Sequence, residues 1–258
     1  MADNILIAKN ISKSFGGIHA LKNFSFSVKK NSITALIGPN GAGKTTVFNI
    51  ISRIYQQDSG EIFFQNKDIT NFAPHQLPQL GISRTFQNIV LFPNMNLVEN
   101  IMVGGHIYGS SSIFKYLFAV FSSKREDELL FKRAMNNLEF VGLQKLAYSE
   151  ISELTFGQLR LAEIARCLMS DSELLLLDEP AAGLNPKETE DLARLLLEIK
   201  KIGKTIFIVE HDMNLVMTIS EKIIVLNFGE FLAKGTPSEI STNPQVIASY
   251  LGDDQYIG

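Results

Sequence analysis

The chain has one cysteine, no tryptophan, four histidines and eight prolines in 258 residues. A single thiol excludes an internal disulfide and a cysteine-built metal site, and it suits a reducing compartment. That residue, Cys167, falls in an apolar helical stretch and is expected to pack in a core. No apolar run approaches the ~20 residues that cross a bilayer as a helix. The longest candidate, "IFKYLFAVF" from Ile113 to Phe121, is short and contains Lys115. A core-packed helix is expected there, with an apolar surface near a membrane or partner as the alternative. The opening "MADNILIAKN" lacks a basic segment followed by an apolar core, so it does not read as a signal peptide. A block of like charge is also missing. The 24 basic residues stand against 27 acidic ones, a net charge of −3, and nucleic acid is not expected as a partner.

The composition that remains, 45% apolar and 20% charged, is that of a globular chain and excludes disorder. Strand-like runs occur at "ILIAKN", "FSFSV", "SITALIG", "EIFFQ", "LLLLD", "TIFIVEH" and "KIIVLN". The runs "LLLLD" and "TIFIVE" do not alternate with polar residues, which predicts strands buried on both faces of a parallel sheet. The earlier runs alternate more, and "NFGEFLAKG" predicts a hairpin. A small antiparallel sheet is therefore expected beside a parallel core. From about Pro93 to Ser170 helical spacing dominates, with "KREDELLFKRAMNNLEFVGL" an amphipathic helix ended by Gly142. The expectation is one α/β domain over residues 1–258, with a helical subdomain at approximately 93–170 inserted in the core.

Chemistry concentrates at "GPNGAGKTT", which follows an apolar strand and precedes a helical pattern. Gly38, Gly41 and Gly43 let the backbone curl around phosphate oxygens with its N–H groups inward. Asn40, Ala42 and Thr46 complete the same cradle. A helix starting near Lys44 adds its positive end. Lys44 brings charge to terminal phosphates, and the Thr45 hydroxyl can ligate Mg²⁺. Asp178 ends the buried run "LLLLD", where a carboxylate is costly unless paired or bound to a cation; Mg²⁺ is the expected partner. Glu179 follows and can polarise a water attacking a γ-phosphate, with a solvated loop carboxylate as the alternative. His211 stands just past "TIFIVE", able to reach the same phosphate, or it is a structural histidine. Glu210 beside it has no role that the sequence argues.

A second helix start draws notice at "LTFGQLRLAEIARCL". Thr155 and Gln158 have the spacing of a capping box, and Leu154 and Leu159 that of a hydrophobic staple. Gly157 weakens the first turn but is expected to leave backbone N–H groups bare for an anion. On its own the stretch also reads as an ordinary capped helix. Asn185, Pro186 and Glu188 make a third helix start.

Taken in order, "GPNGAGKTT", "RTFQN", "LTFGQLRLAEIARCL", "LLLLDEPAAGLNP" and "VEHD" resemble the ATP-binding subunits of ABC transporters over nearly the whole chain. The resemblance implies a P-loop NTPase fold that hydrolyses ATP with Mg²⁺. Phe15 sits where the family stacks an aromatic on adenine. Gln87 is similar to the glutamine that contacts Mg²⁺ and the attacking water. Glu179 resembles the catalytic carboxylate, and His211 the switch histidine. Thr155, Gly157 and Gln158 resemble the signature that binds the γ-phosphate held by an opposite subunit. Phe156 departs from the family's glycine. That bulky residue, together with "LFPNMNLVENIMVG", "AAGLNP" and the ending "GTPSEISTNPQVIASYLG", is similar to the ATPases of branched-chain amino acid importers. The implied partners are transmembrane permease subunits, a second ATP-binding subunit (a sister ATPase or a second copy) and, indirectly, a substrate-binding protein. The implied place is the cytoplasmic face of the inner membrane. The alternatives are the ATPase of a lipid or lipopolysaccharide exporter, and a non-transport ABC ATPase.

Overall fold

The computed structural model describes residues 3–85, 89–105 and 123–251. Gln87 and the Ile113–Phe121 stretch lie outside the described residues.

Every residue of β3 (Ile33–Ile37), β7 (Leu174–Asp178) and β8 (Thr205–Val209) is buried. Burial follows the two-residue period of a strand. Leu36, Leu174, Leu176, Phe207 and Val209 face one core, while Ala35, Leu175, Leu177, Ile206 and Ile208 face another. With β6 (Ile82–Arg84), β9 (Lys222–Asn227) and β10 (Glu230–Gly235) they form a sheet in the order β10-β9-β3-β8-β7-β6. Only the β9–β10 pair is antiparallel, and it is the expected hairpin. β6 was not among the expected strands, because three residues carry no readable period.

β1 (Asn4–Phe15), β2 (Ile18–Lys29), β4 (Ser59–Phe64) and β5 (Lys67–Asp68) form the antiparallel sheet, ordered β2-β1-β4-β5. Helix α1 (Lys44–Ile51) contributes Val47, Phe48, Ile50 and Ile51 to the core shared by the two sheets. Helices α2 (Leu97–Val103), α3 (Ser123–Phe140) and α4 (Phe156–Met169) enclose a separate core around Leu97, Ile101, Ala134, Leu138 and Ala162. Gly142 stops α3 in the left-handed conformation, at φ +78°. Asn100, fully buried, ties the segment before α2: its amide donates to the carbonyls of Phe92, Met95 and Asn96, and its oxygen accepts from Phe92 N–H. Helices α5 (Pro186–Lys201), α6 (Met213–Ile219), α7 (Pro237–Ser241) and α8 (Pro244–Leu251) complete the fold, and α5, α6 and α7 put apolar side chains on the far face of the parallel sheet. Cys167 is buried as expected, and burial pushes its thiol up to about 12. Among the described residues no helix is long and apolar enough to cross a membrane.

Phe207 joins the layers. Its ring centroid lies 5.3 Å from that of Phe26 on β2 and 5.1 Å from that of Phe48 on α1. Truncation to alanine leaves a cavity at the meeting point of three elements. Phe207→Ala is expected to cost about 3–5 kcal/mol. Urea unfolding measures it, and a loss below ~1 kcal/mol, the scale of a conservative swap, would contradict this packing.

Candidate functional site

Parallel register sets the carboxyl ends of three strands side by side. Leu36 of β3 and Asp178 of β7 both pair with Val209 of β8. Open α/β sheets bind ligands at this edge. The segment leaving β3 turns through Gly38–Gly43 into α1. A Cβ on Gly38 would overlap the Leu226 carbonyl oxygen of β9, and one on Gly43 (φ +104°) would lie 2.6 Å from the Ala20 carbonyl oxygen. Only glycine fits at either point. Lys44, buried, donates to the carbonyls of Gly38 (2.6 Å) and Pro39 (3.0 Å) and so closes the loop on itself. Gly43 caps α1 without a side-chain hydrogen bond, and the first turn holds no acid, so its N–H groups and positive end are offered to an anion.

Asn40, Gly41, Ala42, Gly43, Lys44, Thr45 and Thr46 line a cleft of about 600 Å³ together with Glu179. The remaining wall comes from Ile18, His19, Ala20 and Lys22 of β2 and from Phe228 and Gly229 of the β9–β10 turn. The sequence reading missed these residues. The turn is fastened to the loop, since Gly229 N–H donates to Ala42 and Lys22 N–H donates to Gly229 (both 2.9 Å). The only signal in the sequence was the "NFGE" turn itself. Phe15 is not in the cleft wall. It is the cross-strand partner of Ile18, and its ring stands edge-on to Tyr55 at 5.3 Å with the Lys13 ammonium above it. The apolar groups exposed at the cleft are Ile18 and Phe228.

Alternation along β7 puts Asp178 on the side of Leu174 and Leu176, the side that α1 covers. Its counter-charge in the structure is Arg84, on β6, which the sequence reading did not single out. The guanidinium donates to Asp178 Oδ2 (2.8 Å), to Asn49 Oδ1 on α1 (2.8 Å) and to Ser52 Oγ. Burial raises the Asp178 pKa, and the Arg84 hydrogen bond pulls it back. Arg84 is thus the cationic partner of Asp178 within the chain, through one carboxylate oxygen. Glu179, at φ +47°, breaks the strand and turns into the cleft. His211 lies behind it, half exposed, with Nδ1 4.0 Å from Glu179 Oε2 and 3.9 Å from Glu210 Oε2.

Thr155, Gly157 and Gln158 do not line this cleft. The capping box forms: Gln158 N–H donates to Thr155 Oγ1 (3.3 Å) and Thr155 N–H to Gln158 Oε1 (2.9 Å). Gly157 itself is buried, and a Cβ there would lie 2.7 Å from Glu188 Oε1, so glycine makes room for the capping carboxylate of α5. Phe156 packs its ring on Gly183, which also needs glycine to admit it, and the Arg160 guanidinium lies 5.4 Å over the ring.

A glycine loop clasping the start of a helix, with carboxylates at the end of a parallel strand one position removed, defines a P-loop nucleotide-binding fold of the α/β class. The segment 21–182 matches the family model described as ABC transporter. The segment 232–256 matches the one described as branched-chain amino acid ATP-binding cassette transporter. The chain belongs to the ABC transporter family, as one of its ATP-binding cassettes. It is 41% identical to the high-affinity branched-chain amino acid transport ATP-binding protein LivG of Escherichia coli (strain K12), over 98% of this chain and all of that one. Identity to the probable LivG of Archaeoglobus fulgidus is 40%, over 96% of this chain and 95% of that one. A crystal structure of the ADP conformation of an ABC transporter cassette superposes with a TM-score of 0.84 at 35% identity, covering 97% of this chain and 99% of the other. A dimeric cassette bound to ADP and Pi gives 0.75 at 28% identity, covering 90% and 98%.

Removing Arg84 strands the Asp178 carboxylate in a buried site. Arg84→Ala is expected to lose about 3–5 kcal/mol of stability, read by urea unfolding. Retention of full stability would mean that the pair is not the counter-charge that Asp178 depends on.

Proposed function

We propose that the chain is the ATP-hydrolysing subunit of an importer for branched-chain or related amino acids. The observation that carries the substrate class is full-length identity of about two residues in five to branched-chain amino acid transport ATP-binding proteins, supported by the match of segment 232–256. In this reading Lys44 and the N–H groups of the 38–46 loop hold the ATP phosphates, and Asn40, Ala42 and Thr46 shape that cradle. Glu179 orients the attacking water and accepts its proton. His211 steadies the γ-phosphate beside it. Mg²⁺ takes hard oxygen donors, a few from the protein and the rest from phosphate and water. The Thr45 hydroxyl and the Asp178 carboxylate are such donors. Mg²⁺ supplies neutralisation of the phosphate charge. Gln87, outside the described residues, is assigned to Mg²⁺ and the water by family resemblance. Phe15, one cross-strand pair from the cleft wall, is assigned to the adenine side with Ile18.

Thr155, Gly157 and Gln158 act on the ATP of a second cassette. Closure of the pair around ATP drives the permease, because ATP adds contacts that exist only in the closed state. The partners are transmembrane permease subunits, a second ATP-binding subunit and, through the permease, a substrate-binding protein. The working place is the cytoplasmic face of the membrane.

Glu179→Gln is expected to bind ATP as the unmodified protein does and to lose multiple-turnover hydrolysis by about a hundredfold or more, the scale of a lost general base. Equilibrium dialysis with ATP and a phosphate-release assay read the two quantities. Normal turnover in the variant would overturn the assignment of Glu179. Uptake of labelled leucine that survives loss of the gene would overturn the substrate class.

A further inference from the structure

Glu210 adjoins the cleft without lining it. It is 1% exposed, and its carboxylate is shared between two loops. Oε1 accepts the Ala181 N–H at 2.7 Å. Oε2 accepts the N–H groups of His211 (3.0 Å) and Asp212 (3.3 Å). Ala181 lies in the turn that starts at Glu179, where Ala182 N–H donates back to the Glu179 carbonyl (3.1 Å). One oxygen therefore serves the loop of the cleft carboxylate, and the other serves the loop of the histidine. An apolar side chain of similar size would fill the same space without the desolvation cost of a carboxylate. What the carboxylate adds is two acceptors at a fixed separation.

We propose that Glu210 is a positioning residue that joins the Glu179 turn and the His211 loop into one rigid unit. The inference rests on reading the cleft as a site of ATP hydrolysis, in which Glu179 and His211 must face one phosphate together. Across the unit, His211 Nδ1 stands 4.0 Å from Glu179 Oε2. Burial raises the Glu210 pKa and the three backbone donors oppose the rise, so the carboxylate is held by the loops that it orders. Without the strut each loop keeps its own turn but loses its fixed distance to the other. A misplacement of this kind is felt in the chemical step more than in ground-state binding.

Glu210→Gln is the isosteric test. A side-chain amide has one acceptor oxygen, and its NH₂ group then confronts a backbone N–H. Whichever way the amide turns, one loop is released. The kcat for ATP hydrolysis per folded molecule is expected to fall about tenfold or more, the scale of one lost charge-assisted hydrogen bond. The KM for ATP is expected to stay within about twofold, because the 38–46 loop is untouched. The His211 ring resonances are expected to shift in the variant, a readout that a merely space-filling role would not move. An unchanged kcat, with the unmodified protein hydrolysing ATP in the same assay, overturns the positioning role and leaves the proposed function standing. Absence of hydrolysis by the unmodified protein counts against the proposed function instead. The strut is then tested by amide exchange on the unmodified protein, as it is if the variant fails to fold. Ala181, His211 and Asp212 are expected to exchange at one common slow rate, and rapid exchange at either loop overturns the proposal.

Discussion

Asp178 places a carboxylate at the end of a strand that is otherwise buried hydrocarbon, and the elements around the cleft meet where that charge is neutralised. Arg84 reaches it from β6 through Nη2 and engages α1 and its end through Nη1. One guanidinium thereby holds the edge strand β6, its neighbour β7 and the phosphate-loop helix together. An arginine suits this because its rigid fork of donors can engage several acceptors at once. A lysine at the same point would meet the charge but not the helix. The strength of the arrangement comes from geometry, since a buried pair repays its desolvation only when its hydrogen bonds are well placed.

From that fixed edge the Glu179 turn and the His211 loop leave the adjacent strands β7 and β8, and Glu210 spans them. The start of α4 belongs to a different surface. It rests on the α5 cap through Gly157 and Glu188, and on the Glu179–Gly183 turn through Phe156. A bulky residue in place of glycine at 156 is accommodated because Gly183 has no side chain. The helix start touches the far end of that turn at Gly183, while Glu179 at its other end faces the phosphate loop across the cleft. Each chain presents both a phosphate loop and a helix start, and the two serve different nucleotides in the proposed pair.

The buried strands were legible in the sequence because runs such as "LLLLD" and "TIFIV" have no polar alternation, and a parallel sheet covered on both sides is the fold that allows this. The phosphate loop was legible because its glycines are demanded by backbone approach, at Gly38 to Leu226 and at Gly43 to Ala20. Capping boxes at Thr155 and Asn185 were legible because their partners lie three residues away. What escaped was long-range. Arg84 and Asp178 are 94 positions apart, and Ala181 and Glu210 are 29 apart, and no local pattern links either pair. Phe228 and Gly229 entered the cleft wall through a hairpin turn whose contact with β2 only the tertiary fold creates. Nothing local at Gly157 announces the Glu188 side chain that packs where a Cβ would stand.

The central claim is that one chain carries a complete phosphate cradle and only a separate, complementary half of the second contact surface. Site-resolved amide exchange of dilute Glu179→Gln protein, with and without ATP and Mg²⁺, tests it most directly. The account predicts slower exchange along Gly41–Thr46 and no change along Thr155–Gln158 while the chain is monomeric. Equal slowing of both segments in the monomer would contradict it.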